Sequence, residues 1–404
     1  MAAQRPPRAA VRAAVRAALA DLEPGDRVVV ALSGGPDSLA LAAAAAAVGA
    51  EQGLVVEALV VDHGLQPDSA PTAARAADQA RILGCHEARV QRVQVDRSAG
   101  SGGPEAAARA ARYRALDAFA DGDPPDPGGG AGVPPARAIL LGHTRDDQAE
   151  TVLLGLARGS GTRSLAGMAP VAGRYRRPLL GLPRAVVQAA AHAAAQEDPR
   201  LTPWDDPHNV HPQFARVRVR SEILPVLEQN LGPGIAAALA RTAELARQDA
   251  DALDGWADRI WTVLQPPPSP APTPAPTPAP TPAPSHPPSS APGPAAPSDR
   301  LEGRPEGALS HDPCRLPGQE APEPARIMIG ADAATLPAGT PIAVVSRVVR
   351  RLLIGAGCPA EDLTAEHVAR VVGLLSADAS SRAEVALPGG IRARREDGAL
   401  VVRA

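Results

Sequence analysis

Four short runs of β-branched and aliphatic residues, separated by helical stretches, dominate the first 143 positions of the 404-residue chain. They are RVVVAL (27–32), LVVEALVVDHG (54–64), EARVQRVQV (87–95) and ARAILLGH (136–143). An Ala/Leu-rich stretch to about Val48 follows the first run, a stretch from about Ala70 to Gly84 the second, Pro104–Ala120 the third and Asp146–Ala157 the fourth. This alternation predicts βαβ units on a parallel sheet. Ligands of such sheets bind at the carboxyl ends of the strands. Three polar motifs fall at those ends: SGGPDS after the first run, DHG after the second and HTRDDQ after the fourth.

Further along, helical patterns cover Phe214–Gln229 and Gly234–Leu264. From Gln265 to about Pro324 the chain turns to Pro, Ala, Thr and Ser, with a short PAPT repeat and almost no large apolar residues. Such a segment cannot bury a core and is expected to be a stiff, extended linker. An ordered unit resumes near Ile327, with a helix at Ile342–Ala356, a second after Thr364 and a strand-like end at Glu384–Val402. The expected fold class is therefore α/β: a doubly wound parallel sheet, then a helical segment, a Pro-rich linker and a small C-terminal α+β unit.

Composition narrows the function classes. The formal net charge of −3 argues against a generic whole-surface nucleic-acid binder, while leaving room for a local basic face. The chain has no Lys, so every phosphate contact by a side-chain cation must come from Arg, which binds phosphate in a planar, bidentate way. Cys85, Cys314 and Cys358 are scattered and form no CxxC, which supports neither a zinc ribbon nor a Cys-ligated cluster. Lone thiols fit a reducing cytoplasm. The apolar stretch Leu39–Val48 is too short to span a bilayer, so no membrane partner is expected.

SGGPDS carries the clearest chemistry. Gly34 and Gly35 lack a β-carbon, so their backbone can approach an anion closely. A helix beginning near Asp37 adds free N–H groups and a partial positive charge. Together they form an anion cradle, to which Ser33 and Ser38 add hydroxyls. Asp37 suits such a place if Mg²⁺ screens it, since carboxylate and phosphate oxygens fit that ion. The run is not a Walker A loop, which requires a Lys. In HTRDDQAET, Asp147 and Glu150 are three apart and share a helix face, a patch for an ammonium group or a metal. Acids at a helix start also have a purely structural use. His63 ends the second strand, and Arg109 and Arg112 lie at helical spacing beside Tyr113. A Gly/Ser-rich loop with Arg158, Arg163, Arg174, Arg176 and Arg177 nearby reads as a phosphate-contacting segment. Arg216, Arg218 and Arg220 alternate in a later one.

SGGxDS is the signature of PP-loop enzymes. SGGPDS, VDHGL, EAAAR…RY, HTRDDQAETVLL, LARGSG…LAGM, RRPLL and DDPHN…ILPVLE occur in order between Arg27 and Glu228. That series closely resembles the tRNA(Ile)-lysidine synthetases. The resemblance implies a Rossmann-like PP-loop ATP-binding catalytic domain, placed over residues 1–200. Composition places a helical segment over 201–264, a disordered linker over 265–325, which is a poor match to the family's usual middle domain, and a small C-terminal domain over 326–404. The resemblance also implies ATP and Mg²⁺ as cofactors, and free lysine and a tRNA(Ile) with a CAU anticodon as partners. Ser33, Gly34, Gly35, Pro36, Asp37, Ser38 and His63 would bind ATP, with Asp37 reaching Mg²⁺ through it. Asp147 and Glu150 would bind the lysine ammonium, and Asp37, His143 and Asp147 would be catalytic, His143 and His63 standing as alternatives for the assisting group. Arg109, Arg112, Arg158, Arg174, Arg176, Arg216 and Arg220 would contact tRNA, as would Arg347, Arg350 and Arg351 of the C-terminal unit. A homodimer and a cytoplasmic location are further expectations. Where relatives often carry an acid after the Asn of the last motif, this chain has His211.

A PP-loop tRNA thiolase is the nearest competing reading, and the scattered cysteines oppose it. A small-molecule adenylating ligase would leave the RGSG and RRPLL runs unexplained. A non-catalytic nucleotide- or RNA-binding module would not require Asp37, Asp147 and Glu150.

Overall fold

The computed structural model describes residues 5–64, 68–94, 103–122, 132–159, 161–206, 211–264, 326–328, 336–337, 339–375, 383–396 and 399–403. The Pro-rich segment expected to be a linker lies outside the described residues, as do positions 207–210 of the DDPHN run. The chain divides into two compact units, Met1–Ala252 and Leu253–Ala404.

The first unit is built on a six-stranded sheet. After helix α1 (Pro7–Ala18) come β1 (Arg27–Leu32), α2 (Pro36–Gln52), β2 (Val55–Asp62), α3 (Ser69–Ile82), β3 (Glu87–Arg92), α4 (Gly103–Asp121) and β4 (Ala138–Leu140). α5 (Arg145–Ala157), the short α6 (Thr162–Leu165), the two-residue strands β5 (Val171–Ala172) and β6 (Tyr175–Arg176), and α7 (Arg184–Glu197) follow. The strand order is β3-β2-β1-β4-β6-β5. All neighbours run parallel except β5 with β6, which form an antiparallel hairpin.

Alternation along β1 explains the layers. Val28 and Val30 face a core shared with α1, α2, α3 and α7, while Val29 faces a second core shared with Leu116 and Phe119 of α4. The alanines of α2 let that helix lie close on the sheet, and most of them are buried. The chain winds outward from β1 through β2 to β3, then returns across to β4 on the other side of β1. The carboxyl ends of β1 and β4 therefore flank the point where the winding reverses, the place where such sheets hold ligands.

α8 (Ala215–Arg218) continues through a π turn (Val219–Ile223) into α9 (Leu224–Leu231), and α10 (Ile235–Leu264) follows. Pro225 has no N–H to give the carbonyl four residues back, which accounts for the widened turn before it.

The second unit takes in the end of α10, β7 (Arg326–Met328), α11 (Ile342–Gly355), α12 (Ala365–Gly373), β8 (Glu384–Ala386), β9 (Arg392–Glu396) and β10 (Ala399–Arg403). Its antiparallel sheet has the order β7-β10-β9-β8. Val344, Val348 and Leu352 of α11 pack with Leu400, Val402 and Ile260. The arginines of α11, expected at a tRNA surface, are engaged within this unit. Arg347 reaches Asp254 at 2.7 Å, Arg351 reaches Asp258 at 2.8 Å, and Arg350 donates to Ala360 O at 2.8 Å. Among the described residues no helix is long and apolar enough to cross a membrane.

Candidate active site

The SGGPDS run forms the turn from β1 into α2. Gly34 has φ +81°, the left-handed region, and a Cβ there would stand 3.2 Å from the Cβ of Ala76 in α3. Gly35 is the N-cap of α2, with Pro36 next, where a missing N–H costs nothing. Ser33 and Ser38 close the turn from within. The Ser33 N–H donates to Ser38 Oγ at 3.2 Å, the two hydroxyls lie 3.1 Å apart, and Ser38 Oγ donates to Gly35 O at 3.0 Å. From outside, the Trp204 N–H donates to Gly34 O at 2.9 Å.

β4 passes directly beside this turn. A Cβ on Gly142 would meet the Asp37 carbonyl oxygen at 3.3 Å and Ser38 Cα at 3.4 Å, so glycine is what lets the two strand ends come together. Thr144 then caps α5 in a capping box with Asp147. Asp147 Oδ2 accepts from Thr144 N–H and Oγ1, both at 2.7 Å. That is the structural use of an acid at a helix start. Oδ1 of the same carboxylate faces the other way and accepts from Arg184 Nη2 at 2.6 Å.

Four carboxylates and two guanidiniums converge here. Glu150 is fully buried; its Oε1 accepts from Arg184 Nη1 at 3.1 Å and Arg220 Nε at 2.7 Å, and its Oε2 from Arg220 Nη2 at 3.1 Å. Asp146 Oδ2 accepts the Arg184 N–H at 2.7 Å. Asp37 Oδ2 lies 3.7 Å from Arg184 Nε, while its Oδ1 is buried without a hydrogen-bond partner. Beside the cluster is a cavity of about 220 Å³ lined by Asp146, Glu150, Arg184, Arg220, Leu224 and Glu228, among others.

Burial and charge set the protonation states. Burial pushes the Asp37 carboxyl up to about 6 from 3.8, with Arg184 opposing and Asp147 reinforcing. Burial also pushes Asp147 up, but Arg184 and the bonds from Thr144 outweigh it and hold the group below its usual value. His143 is lowered to about 4, chiefly by burial, and its Nδ1 is buried with no partner. His63 is lowered by burial and by Arg112, and its Nδ1 is likewise unpartnered. Both imidazoles are neutral at pH 7.

Residues 8–227 match the PP-loop domain family. A curated relative from Thermobifida fusca, named tRNA(Ile)-lysidine synthase, is 45% identical over 404 residues, which is 100% of either chain. The chain belongs to the tRNA(Ile)-lysidine synthase family. A lysidine synthase of Leifsonia xyli is 56% identical over 236 residues, 58% of this chain and 65% of that one. One of Rhodococcus erythropolis is 53% identical over 252 residues, 62% of this chain and 69% of that one. Among solved structures, the U34-tRNA thiolase NcsA from Methanococcus maripaludis with its [4Fe-4S] cluster overlays at a TM-score of 0.45 and 19% identity. That overlay covers 59% of this chain and 78% of the thiolase, and carries no argument about function.

Against the expectations for a lysidine synthase, Asp37, His143, Asp147 and Glu150 lie together at the ends of β1 and β4. The arginines expected at tRNA divide. Arg109 stacks 4.9 Å from the Tyr113 ring centroid on α4, Arg112 is exposed one turn on, and Arg158 is exposed at the end of α5. Arg174 is paired with Asp121 at 2.7 Å, and Arg176 donates to Asp21 Oδ2 at 2.9 Å. Arg216 donates to Thr151 Oγ1 at 3.3 Å, and Arg220 sits on Glu150. Arg184 and Trp204 were not singled out from the sequence. The only local hint of Arg184 is its place at the first position of a helix soon after RRPLL.

Proposed function

We propose that this chain joins free lysine to the wobble cytidine of a tRNA(Ile) bearing a CAU anticodon, through an adenylylated cytidine, releasing pyrophosphate and then AMP. The observation that carries the reading is the meeting of the SGGPDS turn with Asp147 and Glu150 at the carboxyl ends of adjacent strands. The family resemblance implies the roles of the SGGPDS residues, Asp147 and Glu150, and their meeting at these strand ends supports them.

In the first step the cytidine 2-carbonyl oxygen attacks the α-phosphorus of ATP, and the bond to the β-phosphate oxygen breaks. The start of α2 and the backbone of Gly34 and Gly35 hold the leaving pyrophosphate, with the Ser33 and Ser38 hydroxyls beside it. The unpartnered, buried Oδ1 of Asp37 fits one ligand place of a Mg²⁺ ion that is otherwise held by phosphate oxygens and water. Bound there, Mg²⁺ would neutralise charge on the departing phosphates. Among the described residues there is no group of three or more His, Cys, Asp and Glu able to hold a metal.

In the second step the ε-amine of lysine attacks C2 of the activated base, AMP leaves, and the nitrogen loses a proton. Asp147 and Glu150 orient the amine. They already stabilise cations, since Arg184 and Arg220 rest on them. Arg220, with a side chain 33% exposed against 14% for Arg184, is the one placed to share its carboxylate with an incoming ammonium. His143 is neutral with an unpartnered Nδ1, which offers an acceptor for the departing proton, while burial lowers it to about 4 and leaves it a weak base. Positioning supplies the rest of the rate.

The test is incubation of the purified chain with ATP, Mg²⁺, labelled lysine and a CAU-anticodon tRNA(Ile) transcript. Label in that RNA and none in a methionine tRNA is the expected result. Pyrophosphate release driven by another RNA or by a small molecule, without label transfer, would replace lysine ligation with another PP-loop reaction.

A further inference from the structure

We propose that Gln79 is a positioning residue for ATP, acting on the phosphate loop through the segment Arg200–Trp204. The proposal rests on the ATP-binding part of the reading above and not on the identity of the nucleophile.

Gln79 lies on α3, away from every motif that carries the chemistry, and its side chain is 2% exposed. A buried amide in an Ala-rich helix is costly unless its donors are used. Here one nitrogen serves two carbonyls of the same segment: Nε2 donates to Thr202 O at 2.7 Å and to Arg200 O at 3.2 Å. That segment has no regular secondary structure to hold it. Leu201, buried at 7% exposure, and the Leu201 N–H bond to Asp198 O at 2.9 Å fix its near end. Two residues beyond Thr202, the Trp204 N–H donates to Gly34 O at 2.9 Å.

The last bond gives the chain of contacts its consequence. The Gly34–Gly35 peptide is planar, so the Gly34 carbonyl and the Gly35 N–H point in opposite directions. Gly34 occupies a left-handed conformation that glycine leaves easily, and this peptide is the one in the loop most free to flip. Holding its carbonyl on Trp204 fixes the Gly35 N–H outward from Trp204, as a preformed donor of the anion cradle. The same α3 that supplies Gln79 also supplies Ala76, whose Cβ stands 3.2 Å from where a Gly34 Cβ would lie. One helix thus sets the loop twice, directly through Ala76 and indirectly through Gln79. Preorganised donors bind charge without reorganising first, and removal of the strap leaves that cost to the nucleotide.

The test is Gln79→Met, which keeps the side-chain length and removes the donor. Binding of a non-hydrolysable ATP analogue with Mg²⁺ is measured by titration calorimetry, and steady-state KM is measured for ATP and for lysine. The expected result is about a tenfold rise in the Kd for the analogue and in KM for ATP, with KM for lysine within about twofold of the parent. Hydrogen exchange of the peptide carrying Trp204 should speed up in the same variant while the peptide carrying β1 does not. Should Gln79→Met fold poorly, the parent protein is read instead: the Trp204 amide should already be protected from hydrogen exchange without nucleotide, and fast exchange there would overturn the proposal. Unchanged analogue binding, or equal losses in ATP and lysine parameters, would overturn the proposal and leave Gln79 a packing residue. A parent protein that binds no ATP analogue would instead overturn the ATP reading itself, and the proposal with it.

Discussion

Arg184 spans two carboxylates with the two ends of one guanidinium: Nη2 lies 2.6 Å from Asp147 Oδ1 and Nη1 3.1 Å from Glu150 Oε1. Glu150 has no exposed surface, so its charge depends on these contacts and on Arg220. Truncation to Ala leaves a buried carboxylate half-paired. Arg184→Ala should destabilise the first unit by about 2–4 kcal/mol in denaturant unfolding. It should also slow transfer of labelled lysine on the order of 100-fold, because Asp147 and Glu150 lose their spacing. Arg184→Lys should not restore the rate, since an ammonium is a point charge and cannot bridge both acids in this plane.

Asp37 exchanges stability for function. Its carboxyl is raised to about 6 from 3.8 by burial. A carboxyl that holds its proton more tightly when folded costs the fold nothing below about pH 4, and its full penalty appears above about pH 6. Stability from this group therefore falls as pH rises through that window. Asp37→Asn should raise the unfolding midpoint of the nucleotide-free protein at pH 7 by a few degrees, for a gain of roughly 1–3 kcal/mol, and should leave it nearly unchanged at about pH 4. The same variant should lose pyrophosphate release by a factor on the order of 100 to 1,000. A midpoint that does not move at pH 7 would mean that Asp37 is not strained by its surroundings.

His143, lowered to about 4 chiefly by burial, does not change charge near neutrality. The ratio of rates between His143→Gln and the parent should be constant from about pH 6 to 8, whatever its size. A ratio that bends near pH 6.5 would show that His143 titrates there and acts in its charged form.

The scaffold was legible because strand and helix periods differ. RVVVAL became β1 at the expected residues, and the helices expected at Pro104–Ala120 and Asp146–Ala157 formed at Gly103–Asp121 and Arg145–Ala157. The hairpin of β5 and β6 was not legible. Two residues on either side of Gly173–Arg174 give no alternation to read, and those strands exist because β6 finds the free edge of β4. Within the site, the SGGPDS turn and the acids of α5 stood out because each combines a residue type with a strand end. Arg184 did not, since its partners lie 34 and 37 positions away and nothing local marks an arginine for a buried acid. The ion pair of Arg176 was not legible either, since nothing local marks Asp21, 155 positions away in the sequence and 2.9 Å away in the fold. A lone arginine in a sequence does not disclose whether its partner is a nucleic acid or another part of the same chain.

Arg27 and Glu57 form a second buried ion pair, 2.7 Å apart and with side chains 4% and 6% exposed. They sit at the opposite end of β1 from Ser33, roughly 20 Å from the phosphate loop at the rise of an extended strand. Arg27 also donates to Phe119 O at 2.9 Å and Pro134 O at 3.1 Å, and its guanidinium lies 5.0 Å from the Phe119 ring centroid. It thereby ties β1, β2 and α4 to the segment entering β4. Glu57→Gln leaves that guanidinium buried without a counter-charge and should cost about 3–5 kcal/mol of stability. Pyrophosphate release at a temperature well below the unfolding midpoint should stay within about twofold of the parent. Replacing both residues with Met removes the uncompensated charge, so the double variant should recover most of the lost stability. A fall in rate that matches the fall in stability would indicate instead that strain at this end of the sheet reaches the phosphate loop along β1.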